Sequence, residues 1–343
     1  MRRRSVPFIA GLPALLLVAA ALLGAPVVQA QAQAQAPAQT PAPPAYPART
    51  VTLVVPGPPG GITDQLGRLV AAKVGEQLGQ QVLVDNRPGA GGNLAQETVA
   101  HAEPDGYTLL MGTQGTQATN QYLYKSLRVD PAKDFVAVHG LISIPNVLVV
   151  NGAKPWRSVR ELVDDASRNP GKLTASSAGN GTGTHLALEL FQTVAGVKIL
   201  HVPYKGSAPS INDLLGGQVD LSFDYAVSTL GHIQAGKLRA LAVTGPTRLA
   251  ALPQVPTIAE MGYPQAESTS WIGLFFPART PAAIVERWQA AVARVLVEPA
   301  AVEAIARMGG TPLLLSGARF ESFVQAERSK WRATIERSGA KID

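Results

Sequence analysis

No cysteine occurs among the 343 residues. A disulfide framework, a thiolate nucleophile, a zinc–thiolate site and a lipid-modified N-terminal cysteine are thereby excluded, so packing alone must hold the fold. Aromatic residues are also scarce, at 6%, and leave few rings on which bases could stack. Charge of either sign is thin. The formal +6 includes Arg2, Arg3 and Arg4 of the amino-terminal segment, and the remainder sets 27 basic against 24 acidic side chains. So small and scattered a surplus is no footprint for nucleic acid, which is excluded as a partner. The chain lacks G-x-S-x-G and H-E-x-x-H, and its 5 histidines are scattered. His185 and Glu189 stand one helical turn apart but supply only two metal ligands, so neither a metal nor a cofactor is expected.

What is present begins with an address. Three arginines precede an apolar run from Val6 to Val28, which ends in Val28-Gln29-Ala30 with small residues at the positions a signal peptidase requires. Pro13, Gly24 and Pro26 interrupt the run as a helix, although it is long enough to cross a bilayer. Residues 1–30 therefore read as a signal peptide cleaved after Ala30, by either the general or the twin-arginine route. Residues 31–47 are Ala, Gln and Pro with little to bury, an unstructured tether. The expected mature protein is exported, soluble and monomeric.

The rest alternates β and α signals. Val51 to Val55 is a β-branched run closed by a proline-glycine loop, after which Leu66, Leu69, Val70, Val74 and Leu78 recur at helical spacing until Gly79. Val82 to Val84 forms a second strand, Arg87 to Gly92 a loop, and Asn93 with Gln96 a capping box opening a helix; Tyr107 to Met111 is a third strand. Leu148 to Val150 is an apolar strand after Pro145, and it leads into a second set: strands at 173–177, 199–202, 219–223 and 240–244, a glycine loop at 178–183 and a helix at 186–194. Trp271 to Phe276 and helices at 281–297, 301–308 and 318–338 complete the chain. Such alternation implies an α/β fold with mainly parallel sheets flanked by helices. We expect one lobe from 48–147 plus 267–343 and another from 148–266.

Each lobe carries a strand, a glycine loop and a helix start, where unpaired amides and the helix dipole favour an anion. In the first, Gly60, Gly61, Ile62 and Thr63 offer backbone N–H groups, and Asp64 reads as a brace for the loop. In the second, Ser176, Ser177, Gly179, Asn180, Gly181, Thr182, Gly183 and Thr184 add hydroxyls, and His185 either donates to the anion or bonds locally. Nucleotide motifs fail on detail: the first loop has no Walker lysine, and Arg87 to Leu94 lacks the last glycine of G-x-G-x-x-G. Tyr204, Lys205 and Ser207 form a polar corner after one strand, and Asp224 follows another, to meet a ligand amine or brace the hinge. A rival reading is an exported α/β hydrolase or transferase using Ser177 and His185.

Five motifs in order carry a resemblance: Val55-Pro56 through Gly60-Gly61-Ile62-Thr63-Asp64; Asp85-Asn86-Arg87-Pro88-Gly89-Ala90-Gly91-Gly92; Pro104-Asp105-Gly106-Tyr107-Thr108; His201-Val202-Pro203-Tyr204-Lys205-Gly206; and Leu252-Pro253-Gln254-Val255-Pro256-Thr257. From about Val51 onward the chain resembles the Bug-type, TctC-like solute receptors of tripartite tricarboxylate transporters. The resemblance implies a periplasmic binding protein of the type II, Venus flytrap fold. Such a protein is not an enzyme; it closes on a small organic carboxylate and passes it to a small and a large membrane subunit. It further implies ligand contacts at Pro58, Gly60, Gly61, Ile62, Thr63 and Asp64, and at Ser177, Gly181, Thr182, Thr184 and His185. Thr113 and Thr116 are a looser match at the end of the first lobe's third strand. The family commonly has an aromatic residue where this chain has Gly57.

Overall fold

The computed structural model describes residues 46–339 and 341–342. The expected signal peptide, 1–30, and the expected tether up to residue 45 lie outside the described residues. At its end the tether expectation is corrected. The Tyr46 hydroxyl donates to the Gly106 carbonyl at 2.6 Å and accepts from Trp288 Nε1 at 2.8 Å, and Pro47 is buried. An aromatic ring with two partners for its polar end is an anchor.

Strand β1 (Val51–Val55) lies parallel between β2 (Val82–Asn86) and β3 (Thr108–Thr113). Their C-terminal ends are therefore adjacent, which gathers three loops on one rim. Next to β3 runs β9 (Thr269–Pro277), antiparallel, and next to β9 the long β4 (Phe135–Asn151). Residues Phe135 to Pro145 of β4 pair with β9, and Ser143 and Ile142 also pair with β10 (Thr311–Pro312). From Asn146 onward the same strand pairs with β7 (Leu221–Tyr225) and β8 (Leu238–Val243). Parallel strands β5 (Thr174–Ser177) and β6 (Leu200–Pro203) follow β7. The fold is α/β and two-lobed, parallel in the outer strands of each lobe and antiparallel about β4. The expected boundary at 147/148 falls inside β4, and that at 266/267 just ahead of β9. Sequence periodicity located only the last residues of β4, because burial on both faces removes the alternation that marks a strand.

Helices α1 (Ile62–Leu78), α2 (Asn93–Ala100), α3 (Asn120–Leu123), α4 (Val159–Arg168) and α5 (Gly183–Ala195) precede α6 (Ser207–Leu215) and α7 (Ala226–Gln234). Then come α8 (Ala282–Val295), α9 (Pro299–Arg307) and α10 (Gly317–Ser338). On α1 the buried face is Leu66, Val70, Val74 and Leu78, and Gly79 stops the helix at φ +71° with its amide on the Gly75 carbonyl. Leu53 and Val55 pack with that face and with Trp288 of α8; Val54 and Leu110 face the opposite layer with Phe320 of α10. Fully burying one such side chain stabilises by roughly 1.5–3 kcal/mol, which holds the rim strands rigid behind their loops. The expected capping box at Asn93 does not form. Gly92 occupies the cap position, Asn93 Oδ1 accepts from Asn120 Nδ2 at 2.6 Å, and Gln96 Nε2 donates to the Thr116 carbonyl at 2.7 Å. Both side chains bind neighbouring rim loops instead.

Candidate functional site

The first loop links β1 to α1. Gly60 has φ +80°, a left-handed conformation that glycine alone adopts without strain, whereas Gly61 has an ordinary φ of −72°. Gly61 N–H donates to the Pro58 carbonyl at 3.2 Å, and Gly60 N–H to Asp64 Oδ2 at 2.9 Å. Arg68 Nη2 meets Asp64 Oδ1 at 2.9 Å. Burial alone would raise the Asp64 carboxyl, but the hydrogen bonds from Arg68 and from the Gly60 amide outweigh it and hold the group below its ordinary range. Asp64 thus braces the loop as an anion. The amides of Ile62 and Thr63, first in α1, have no carbonyl partner within the helix. A side chain at Gly57 would begin on the Thr63 hydroxyl, so Thr63 occupies the space into which an aromatic residue would have to grow.

Two further segments share that rim. Thr113 N–H donates to Thr116 Oγ1 at 2.9 Å, and Thr116 N–H to Thr113 Oγ1 at 3.2 Å. This reciprocal pair opens a single π-helical turn, Gly115–Thr119, whose residues are all buried. A methyl group on Gly92 would stand 2.8 Å from Thr116 Cγ2 and 2.9 Å from Pro56 Cβ, so the loop ahead of α2 packs on both neighbours.

The second loop links β5 to α5 and is held by neutral groups. Ser177 Oγ accepts from Gly179 N–H at 3.1 Å and lies 2.7 Å from His201 Nε2. Thr184 Oγ1 accepts from Ala178 N–H at 2.9 Å, and Thr182 Oγ1 donates to the Gly179 carbonyl at 2.6 Å. Thr182 also caps α5, accepting from His185 N–H. Gly181 N–H donates to His185 Nδ1 at 3.2 Å, and His185 Nε2 lies 3.6 Å from Glu189 Oε1. The His185 ring stacks on His201, centroids 4.1 Å apart. Burial, and then the neighbouring His185, push His201 down to about 3. The hydroxyls shape the loop, and Gly183 and Thr184 N–H open the helix without partners inside it.

Tyr204 borders the second loop, its N–H donating to the Ser177 carbonyl at 3.1 Å. The Tyr204 hydroxyl donates to Asp213 Oδ2 at 2.6 Å. Asp224 is fully buried, and its Oδ1 accepts from Ser207 Oγ and Tyr225 N–H, each at 2.7 Å. Burial pushes its carboxyl up to about 6, only partly offset by Ser207, the Tyr225 amide and Ser228. No guanidinium or ammonium appears among those partners. Between lobes, the start of a side chain at Gly206 would touch the Pro58 ring at 3.5 Å. Gly91, Gly115, Asn120 and His201 were not singled out from the sequence. Gly91 and His201 stand in two of the motifs that carry the resemblance, without a role of their own, and the only signal for Gly115 and Asn120 is the uncharged polar run 113–121, of which seven residues, Gln114 to Asn120, are buried. Among the described residues no group of three or more His, Asp or Glu could hold a metal ion, and no helix is long and apolar enough to cross a membrane.

Two α/β lobes joined through shared β-strands, with a glycine loop on each, are the architecture of a two-lobed binding protein. The sequence profile of the tripartite tricarboxylate transporter family receptor matches residues 66–340. The chain belongs to that family. BugT of Bordetella pertussis is 36% identical over 298 residues, covering 87% of this chain and 91% of BugT. A Rhodopseudomonas palustris protein, Rpa4515, solved with adipate, is 39% identical with a TM-score of 0.81, covering 86% of this chain and 98% of its own. MatC of the same organism, solved with bound malate, is 33% identical with a TM-score of 0.78, covering 84% and 100%. Family members include the periplasmic binding protein BugD, and solute receptors of this kind are not enzymes.

Proposed function

We propose that this receptor is exported to the periplasm by a cleaved signal peptide, closes as a monomer on a small organic carboxylate, and delivers it without turnover. Its partners are the small and large membrane subunits of a tripartite tricarboxylate-type transporter. The observation that supports this most is that the loop opening α1 meets, at Pro58, Gly206, which caps α6 and donates to the Ala178 carbonyl of the second glycine loop at 3.0 Å. Amides at two helix starts favour an anion without any cationic side chain. Relatives holding adipate and malate support a dicarboxylate.

On this reading the ligand lies between Pro58 to Asp64, with Thr113 and Thr116, on one side and Ser177 to His185 on the other. Ile62, Thr63, Gly183 and Thr184 supply the free amides, and Tyr204 and Asp224 support the second lobe. The lobes divide near residues 147/148 and 266/267. The hydrolase alternative draws little support, since Ser177 is fully buried and bonded to His201 rather than to His185. Calorimetry with malate, succinate and adipate and their neutral amides tests the proposal. A lost charged hydrogen bond is worth roughly 1.5–3 kcal/mol, or about ten- to a hundredfold in affinity. Equal affinity for acid and amide contradicts it, as does chemical change of a bound acid followed by NMR.

A further inference from the structure

The second-lobe loop touches the first lobe at three places where only glycine leaves room. A methyl group on Gly91 would stand 2.8 Å from the Asn180 carbonyl oxygen, and one on Gly115 would stand 2.5 Å from the Gly181 carbonyl oxygen. One on Gly181 would strike Asn120 Oδ1. Real Cβ atoms do not approach backbone oxygens so closely, so each of these directions holds a Cα–H aimed at an oxygen of the other lobe, a weak but recurrent contact. Asn120 ties the first-lobe side together. It is fully buried, and its Nδ2 donates to the Gly91 carbonyl at 3.1 Å and to Asn93 Oδ1 at 2.6 Å. The Gly91 carbonyl can only accept, which fixes Nδ2 on that side and turns Oδ1 toward Gly181. Behind the loop, Leu186 and Leu190 of α5 enter the same apolar cluster as Phe320 and Val324 of α10, so the contact continues into packed core.

We infer that Gly91, Gly115 and Asn120 form a latch that seats the Asn180-Gly181 backbone and thereby positions the second-lobe loop for binding. None of them needs to touch the ligand. Their contribution is to the closed population, and apparent affinity falls in proportion to that population. The inference rests on the two-lobed receptor fold and not on which acid is bound.

Gly115→Ala is the cleanest probe, because Gly115 has an ordinary φ and its added methyl meets Gly181 O across the lobes. Gly231→Ala serves as control, since nothing lies within 4 Å of a methyl group there and its φ is also ordinary. The native chain has no cysteine, so a Ala72→Cys, Lys172→Cys background can carry one spin label on each lobe at exposed positions. Pulsed electron resonance would read the lobe spacing with no acid and with saturating malate or adipate, and calorimetry the affinity. We expect Gly115→Ala to shift the spacing to longer distances in both conditions and to weaken the acid by about tenfold or more, with Gly231→Ala unchanged. Should Gly115→Ala not fold, Asn120→Ser, which shortens the side chain away from Gly91, Asn93 and Gly181, is expected to lengthen the spacing likewise. A folded Gly115→Ala or Asn120→Ser with the original spacing and affinity overturns the latch. If neither acid binds the parent protein, the carboxylate reading fails while the spacing without acid still decides the latch.

Discussion

The two lobes solve one problem with different chemistry. Each must hold a glycine loop open so that helix-start amides face outward. The first lobe does so with a charge, Asp64, which grips the Gly60 amide and is itself neutralised by Arg68. The second uses a mesh of hydroxyls and imidazoles around Ser177, Thr182, Thr184, His185 and His201. Buried carboxyls follow the same division. Asp64, beside a guanidinium, sits below its ordinary range, whereas Asp224, held only by hydroxyls and an amide, rises to about 6. The lesson is that the two sites answer pH differently, because Asp64 is matched with a guanidinium whereas His201 and Asp224 are buried without an opposite charge.

The largest consequence lies with His201. It stays neutral in the fold down to about 3 while the unfolded chain takes up a proton near 6.5. Its stabilising contribution is therefore complete above pH 6.5 and declines as pH falls toward about 3, by up to about 1.4 kcal/mol per pH unit. Urea unfolding across pH 7 to 4 should show this slope, reduced in His201→Asn. Asp64 is silent over most of that window, since its carboxyl remains ionised below the ordinary range. A slope that survives in His201→Asn but disappears in Asp64→Asn would reverse the comparison.

Asp224 gives the next effect, with the opposite sign. An acid raised by the fold contributes most below its unfolded value of 3.8, and that contribution is lost as pH rises to about 6. Asp224→Asn should remove the penalty and gain roughly 3 kcal/mol at pH 7 relative to pH 4, measured by the same titration. Third, Asp64→Ala should cost about ten- to a hundredfold in acid affinity at pH 7, because Gly60 N–H and Arg68 lose a charged partner; calorimetry checks it. Smallest is Thr182→Val, which removes the cap of α5 and should lower unfolding stability by about 1 kcal/mol, read by urea denaturation.

Much of this architecture was legible in the sequence. Strand β1 and the glycine stop of α1 at Gly79 were read to the residue, because β-branched runs and glycine punctuation are local signals. Helices α4, α6 and α7 were not, although α4 buries Val159, Leu162 and Ala166 on one face. At the rim, the brace role of Asp64 followed from its place in the first helical turn. The capping box at Asn93 was misread because its side chains answer to partners 27 and 20 residues away, and spacing cannot show such contacts. The bond between His201 and Ser177 was missed for the same reason. His201 sits on the neighbouring strand, and only the parallel pairing of β5 with β6 brings it under Ser177.

The central claim is that one carboxylate ligand is held by helix-start amides of both lobes. Amide-resolved NMR of uniformly nitrogen-15-labelled receptor, titrated with whichever of malate, succinate or adipate binds most tightly, tests it directly. The account expects the amides of Ile62 and Thr63 and those of Gly183 and Thr184 to shift together and saturate at the same ligand concentration, with carbon-13 carboxyl label showing through-hydrogen-bond coupling to at least one amide in each set. Saturating shifts and coupling confined to Ile62 and Thr63, with Gly183 and Thr184 unmoved, would contradict it.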